Sequence, residues 1–228
     1  MAQFVNLNPG SLRELHIGNE RLVSYNVEMT EVTGGTFWKA YTPAQIAGTE
    51  PFVLKGGFLG NATASTDLMQ YYDPIDLSDK KLRKLAKEIG PAWVRVSGTW
   101  STKTYYDFDG HTNGVIPEGY NAILTREQWL GVLDFCKDIG AKLLISVADC
   151  EGLHHADEPW NPSQAEQIFA LSKEYGKAID AAEFVNEPNL LAMSGCPKGY
   201  TAEQYVRDQD IFIRWLHGRR TWWRSHRF

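Results

Sequence analysis

An α/β fold built on a parallel sheet is what this 228-residue sequence predicts, and more narrowly a (β/α)8 barrel that breaks off after about four strand–helix units. Three observations lead there. Apolar strands alternate with capped amphipathic helices four times, the pattern of parallel strands joined by helical crossovers. The connection after the first strand, "TEVTGGTF", has neither the spacing nor the following helix of a dinucleotide-binding fingerprint, which disfavours a doubly wound sheet of that kind. Polar residues gather at the C-terminal ends of the strands, where barrel active sites lie: Glu28, Ser97 to Thr99, Asp149 and Asn186-Glu187.

The elements follow in order. "ERLVSYNVEM" reads as a strand ending near Glu28, followed by a long aromatic and Gly-rich connection. Ser78 is the predicted cap of a helix whose apolar face is Leu82, Leu85, Ala86 and Ile89, with Gly90 ending it in a left-handed conformation. "PAWVRVSGTW" is the second strand. After another long loop, Thr125 with Gln128 forms a capping box for a helix carrying Trp129, Leu130, Leu133 and Cys136. "AKLLISVAD" is a near-continuous apolar run, as expected of a strand buried on both faces. Asn161-Pro162 opens a helix with Ala165, Ile168, Phe169 and Leu171, Pro falling in its first turn. "AAEFVNE" is the fourth strand, and Thr201 with Gln204 starts a fourth helix bearing Tyr205, Ile211, Phe212 and Trp215.

Composition sets limits on function. A net charge of −5 gives no support to a nucleic-acid partner, and "KKLRKLAK" reads as a solvated helix face. No apolar run approaches a membrane span, and the N-terminus lacks the pattern of a signal peptide, so the compartment is left open. Cys136, Cys150 and Cys196 are too few and too irregularly spaced for a disulfide framework or a zinc site. The sequon Asn61-Ala62-Thr63 matters only in a secreted protein.

The most informative stretch is "AEFVNEPN". Read blandly, Asn-Glu-Pro closes a strand and Glu187 points to solvent. Read functionally, Glu187 is a general acid at a barrel mouth. Cleaving a glycosidic bond requires a proton on a poor leaving-group oxygen, and a partly buried carboxylic acid with a raised pKa supplies it. The adjacent Asn186 amide then bonds a sugar hydroxyl beside the reacting carbon.

These residues carry a resemblance. "AEFVNEPN" resembles the fourth-strand motif of the large clan of (β/α)8 glycoside hydrolases with an acid/base glutamate on strand four and a nucleophile on strand seven. Within that clan, Lys81-Leu82-Arg83-Lys84-Leu85-Ala86, Gly90-Pro91-Ala92 and Arg95-Val96-Ser97-Gly98-Thr99 are similar to the heparanase and β-glucuronidase family, glycoside hydrolase family 79. Ser97 stands where that family more often has Gly. The resemblance covers roughly residues 20 to 190. It implies a retaining hydrolase of terminal β-glucuronides or related uronic sugars, with Glu187 as acid/base, Asn186 supporting the reacting sugar, and Glu28, Gly98, Thr99 and Trp100 lining the terminal-sugar subsite. It implies no cofactor and no metal.

The retaining mechanism needs a second carboxylate about 5–5.5 Å from the acid/base. Only four strand–helix units can be counted, so the strand-seven glutamate is not found in this sequence. Asp149 and Glu151 are weak substitutes because strand three adjoins strand four. The expected organisation is a half-barrel over residues 1–217, then an atypical basic, aromatic tail, "GRRTWWRSHRF", over 218–228. That tail is either a segment touching RNA or lipid or the product of a slipped reading frame, and the second is favoured. A half-barrel would expose strand edges and associate with itself through them.

"CEGLHHADEPW" puts His154, His155, Asp157 and Glu158 in one loop, but adjacent histidines do not readily face one ion, and a polar loop at a sugar cleft is expected instead. Trp100, Tyr105, Tyr106 and Trp160 are expected in loops after strands, some stacking on sugars and some packing. The sequence thus predicts a β-glucuronidase-like glycosidase with Glu187 as acid/base, inactive without its nucleophile. The alternatives are another clan member, such as a β-glucosidase or xylanase, and a carbohydrate-binding fragment without turnover.

Overall fold

The computed structural model describes residues 8–15, 17–51, 69–190 and 195–224; the sequon at Asn61 lies outside them. In chain order the first elements are β1 (Val23–Glu28), α1 (Met29–Thr33), β2 (Gly35–Trp38), α2 (Pro43–Ile46), β3 (Met69–Tyr72), α3 (Lys80–Ile89) and β4 (Ala92–Ser97). There follow β5 (Thr104–Asp107), β6 (Ala122–Thr125), α4 (Arg126–Asp138), β7 (Lys142–Ser146), α5 (Ser163–Glu174), β8 (Ala181–Glu183) and α6 (Ala202–Arg224). Four strands form a parallel sheet in the order β1-β4-β7-β8, so the protein is α/β and each strand joins the edge left by the one before it.

Register decides what each face carries. Tyr25 pairs with Val94, which pairs with Leu143, and Val27 with Val96, which pairs with Ile145. These residues share one face because strand side chains alternate with a period of two. Val94, Val96, Leu143 and Ile145 are buried in the main core, together with Trp129, Leu133 and Cys136 of α4, Ile168 and Leu171 of α5, and Phe212 of α6. The opposite face is polar toward the C-terminal ends of the strands. Glu28 pairs with Ser97, and Ser146 with Glu183, so a carboxylate stands at each edge of the sheet with two serines between.

The helix starts are set locally. At Thr125 the hydroxyl accepts from the Gln128 amide at 3.2 Å, and the Gln128 side chain accepts from the Thr125 amide at 2.9 Å. Thr201 and Gln204 make the same reciprocal pair at 3.3 and 2.8 Å. Both predicted capping boxes are present. α6 continues past Gly218 to Arg224, and residues 225–228 lie outside the described ones.

Several expectations are corrected. α3 is capped by Asp79, whose carboxylate accepts from the Leu82 amide at 2.7 Å, while the Ser78 hydroxyl turns back to Asp76 at 2.6 Å. Only Ala86 of that helix is buried; Leu85 and Ile89 are 49% and 51% exposed. Pro162 caps α5 from just outside it, and the Asn161 side chain accepts from the Ser163 amide at 3.2 Å. The third and fourth strands are shorter than the apolar runs that announced them, ending at Ser146 and Glu183. Two small sheets lie in the long connections: β2 with β3, antiparallel, and β5 with β6, parallel. Tyr105 and Tyr106 therefore sit on a strand, and Tyr106 and Trp160 are core residues at 0% and 2% exposure.

Candidate active site

The residues singled out by sequence converge at the C-terminal ends of β1, β4 and β8. Glu28 closes β1, and its Oε1 accepts from the Asn26 amide at 2.8 Å while its Oε2 is buried without a partner among the described residues. Burial raises the Glu28 pKa, and the nearby carboxylates of Glu31 and Glu187 add to the rise against the opposing pull of Asn26 and Arg95. The carboxylate lies over Gly98, where a Cβ would stand 1.5 Å from Oε2, and Gly98 takes a φ of 99°. A glycine is required there for both reasons.

Asn186 and Glu187 follow β8 in a loop and do not belong to the strand itself. The Asn186 Oδ1 accepts from the Arg95 guanidinium at 2.8 Å, which fixes the amide so that Nδ2 turns toward the Thr99 hydroxyl at 3.5 Å. With its oxygen occupied, Asn186 offers N–H donors to a ligand. Glu187 adopts a φ of 50°, is exposed, and its carbonyl accepts from the Leu190 amide at 2.8 Å as the chain turns into Pro188–Leu190. A non-glycine residue in the left-handed region is uncommon, and such residues cluster at functional sites. The partial burial expected of an acid is not present at Glu187. Trp100 and Phe37 pack edge-to-face, ring centroids 5.1 Å apart.

Beneath these residues lies a network that sequence reasoning missed. Arg95, quoted above only as part of a motif, bonds Asn26 at 2.7 Å and pairs with Glu183. Glu183 Oε1 also accepts from Ser97 at 2.8 Å and Ser146 at 2.7 Å, and those two hydroxyls touch each other. Burial works to raise the Glu183 pKa, but the bonds from Arg95, Ser146 and Ser97 outweigh it and hold the carboxyl below its ordinary range. Charged residues alternating with the strand's apolar positions were the available signal.

Two expected mouth residues lie elsewhere. Asp149 is fully buried, its Oδ1 2.6 Å from His154 Nε2 and its Oδ2 3.7 Å from Cys196 Sγ, so it does not reach a sugar. His154 Nδ1 faces the carbonyls of His155 and Glu158 at 2.9 and 3.1 Å. Burial opposes the imidazolium, yet the Asp149 carboxylate prevails and raises the His154 pKa. His155 points the other way, to Glu151 at 2.8 Å, and Glu151 also accepts from the Lys198 amide at 2.9 Å. The two histidines therefore serve different partners. His154 is an interior residue, not part of a polar cleft loop.

No protein-family model matches the chain, and no curated protein matches it. No helix among the described residues is long and apolar enough to cross a membrane.

Proposed function

We propose that this chain carries the acid/base half of a retaining β-glycoside hydrolase, of the kind found in glycoside hydrolase family 79, acting on terminal β-glucuronides or related uronic sugars. One observation carries the reading: Arg95 holds the Asn186 amide beside Thr99, with Glu187 next in the chain and Glu28 close enough for its charge to be felt. In this reading Glu187 protonates the glycosidic oxygen as the bond to the leaving group breaks. A second carboxylate attacks the anomeric carbon, and Glu187 then takes a proton from the water that releases the sugar. Asn186 and Thr99 bond the hydroxyls of the reacting ring, and Glu28 serves as a hydroxyl-binding residue at its edge. Asp149, buried against His154, is not the nucleophile. In this reading the attacking carboxylate is supplied from outside the four-stranded sheet. Sequential parallel order supports the (β/α)8 reading, since a barrel is laid down one neighbouring strand at a time.

The exposure of Glu187 favours a second reading, in which the site binds sugar without turnover. The two are separated by comparing the protein with its Glu187→Gln variant. On 4-nitrophenyl β-D-glucuronide the enzyme reading expects hydrolysis to fall roughly 10²–10⁴-fold with binding retained. Equal turnover in the two proteins, or equal binding with turnover in neither, overturns the catalytic role. The matching aryl glucoside and xyloside tell a glucuronidase from other clan members.

A further inference from the structure

Beside the site lies a cavity of about 660 Å³, within the range that holds small ligands. It is lined by Trp100, Tyr71, the loop from Ile116 to Ala122, and Thr30, Gly34 and Gly35. We infer that this cavity is a second sugar subsite, taking a neutral pyranose unit adjacent to the ring held by Asn186 and Thr99. The inference rests on the reading of that neighbouring site as a sugar site.

Position is the first argument. Glu28 and Gly98 touch at the site, and Thr30 and Trp100, each two residues further along its own segment, line the cavity. Two residues of chain span at most about 7 Å, so one step from site to cavity is of the order of a single sugar ring.

The second argument is the prepared surface. Trp100 is braced by an edge-to-face contact with Phe37, ring centroids 5.1 Å apart. Tyr71 is 67% exposed. A ring fixed as Trp100 is offers a flat apolar face to the C–H side of a pyranose and loses little freedom when it binds. The loop wall is held too. Gly119 lies so close to Gly152 that a Cβ on it would stand 2.2 Å from the Gly152 nitrogen, and a Cβ on Gly152 would meet the Tyr120 ring at 2.4 Å.

Charge selects the class of sugar. Glu118 lines the cavity, and no lysine, arginine or histidine does among the described residues. A sulfated or uronic unit would bring an anion beside a carboxylate with no cation to offset it, which is discrimination by repulsion. The cavity therefore suits an uncharged ring.

The test is a titration of the isotopically labelled full chain by amide NMR, with methyl β-cellobioside, its 6-sulfated form and methyl β-D-glucuronide as probes. The expected result is that the neutral disaccharide shifts the Gly35 and Gly119 amides. Trp100→Ala should weaken its Kd by about 3- to 10-fold, and Glu118→Lys should improve binding of the sulfated probe. Tyr71→Ala, at an exposed position, gives the same readout should Trp100→Ala not fold. Shifts confined to Thr99 and Asn186, with Gly35 and Gly119 unmoved, overturn the subsite and leave the sugar site standing. Equal affinity of the wild type for neutral and sulfated probes overturns the neutral class. No response to any probe overturns both readings together.

Discussion

Arg95 on β4 reaches across the sheet to bond Asn186, 91 residues later, at 2.8 Å while pairing with Glu183 on the edge strand β8. One guanidinium thus orients the amide of the candidate site and holds the carboxylate beneath it. Replacing it by Met leaves Glu183 charged without its cation and frees the Asn186 oxygen. Both partners are about one-third exposed, so the loss of stability is discounted to about 1–2 kcal/mol, read by urea unfolding. A double-mutant cycle with Glu183→Gln should show coupling, and additive effects would mean that the pair is not cooperative.

Acid should loosen the same network. The Glu183 pKa is held below its ordinary range, so its contribution to stability is complete above that range and disappears as pH falls through the lowered value. Melting curves of wild type and Glu183→Gln should therefore differ near neutrality and converge as the pH is lowered to well below the ordinary glutamate value of about 4.3. A gap that is constant over that range would place Glu183 outside the linkage.

Glu28 has the opposite sign. Burial raises its pKa, so the charged form works against folding at neutral pH. Glu28→Gln should raise the Tm at pH 7 by about 1–3 °C while weakening sugar binding, a trade between stability and function. Calorimetry of the variant checks the first half and a glycoside titration the second.

His154→Ala should be among the most damaging single changes. It strips Asp149, at 0% exposure, of its ion-pair partner and removes one of the donors shared by the carbonyls of His155 and Glu158. A buried charge left uncompensated costs about 3–5 kcal/mol, and guanidinium unfolding should show a loss of that size.

The sheet ends in two open edges among the described strands, β1 and β8. Leu22 and Val23 at the start of β1 are 78% and 46% exposed. Unpaired edges template association, so sedimentation velocity should show a concentration-dependent increase in size. A monomer at every concentration would retire the proposal of edge-to-edge pairing.

What the sequence disclosed was local. The capping boxes at Thr125 and Thr201 were legible because donor and acceptor stand three residues apart. Gly90 was legible because a chain break in a helical period needs a residue tolerant of positive φ, and it has a φ of 91°. The cap of α3 was placed one residue early because Ser78 and Asp79 are both good caps and only their bonds choose between them. The Arg95–Glu183–Ser97–Ser146 network was invisible, since it depends on register between strands 37 to 88 residues apart. β2 and β3, each of four residues, are too short for periodicity to announce. Asp149 was misplaced for a related reason: a polar residue at a strand end looks the same in sequence whether it faces a cleft or a buried histidine.

The strand order β1-β4-β7-β8 has a consequence for the chain as it is made. Every new strand pairs with the most recent strand of the sheet, so the main sheet never waits for a distant segment. Loop closure stays short relative to a topology that interleaves early and late strands, which favours rapid formation. Synthesis delivers the chain from its N-terminus, and here the order of delivery is the order of assembly. Each strand can dock as it emerges, with the edge it leaves behind serving as the template for its successor.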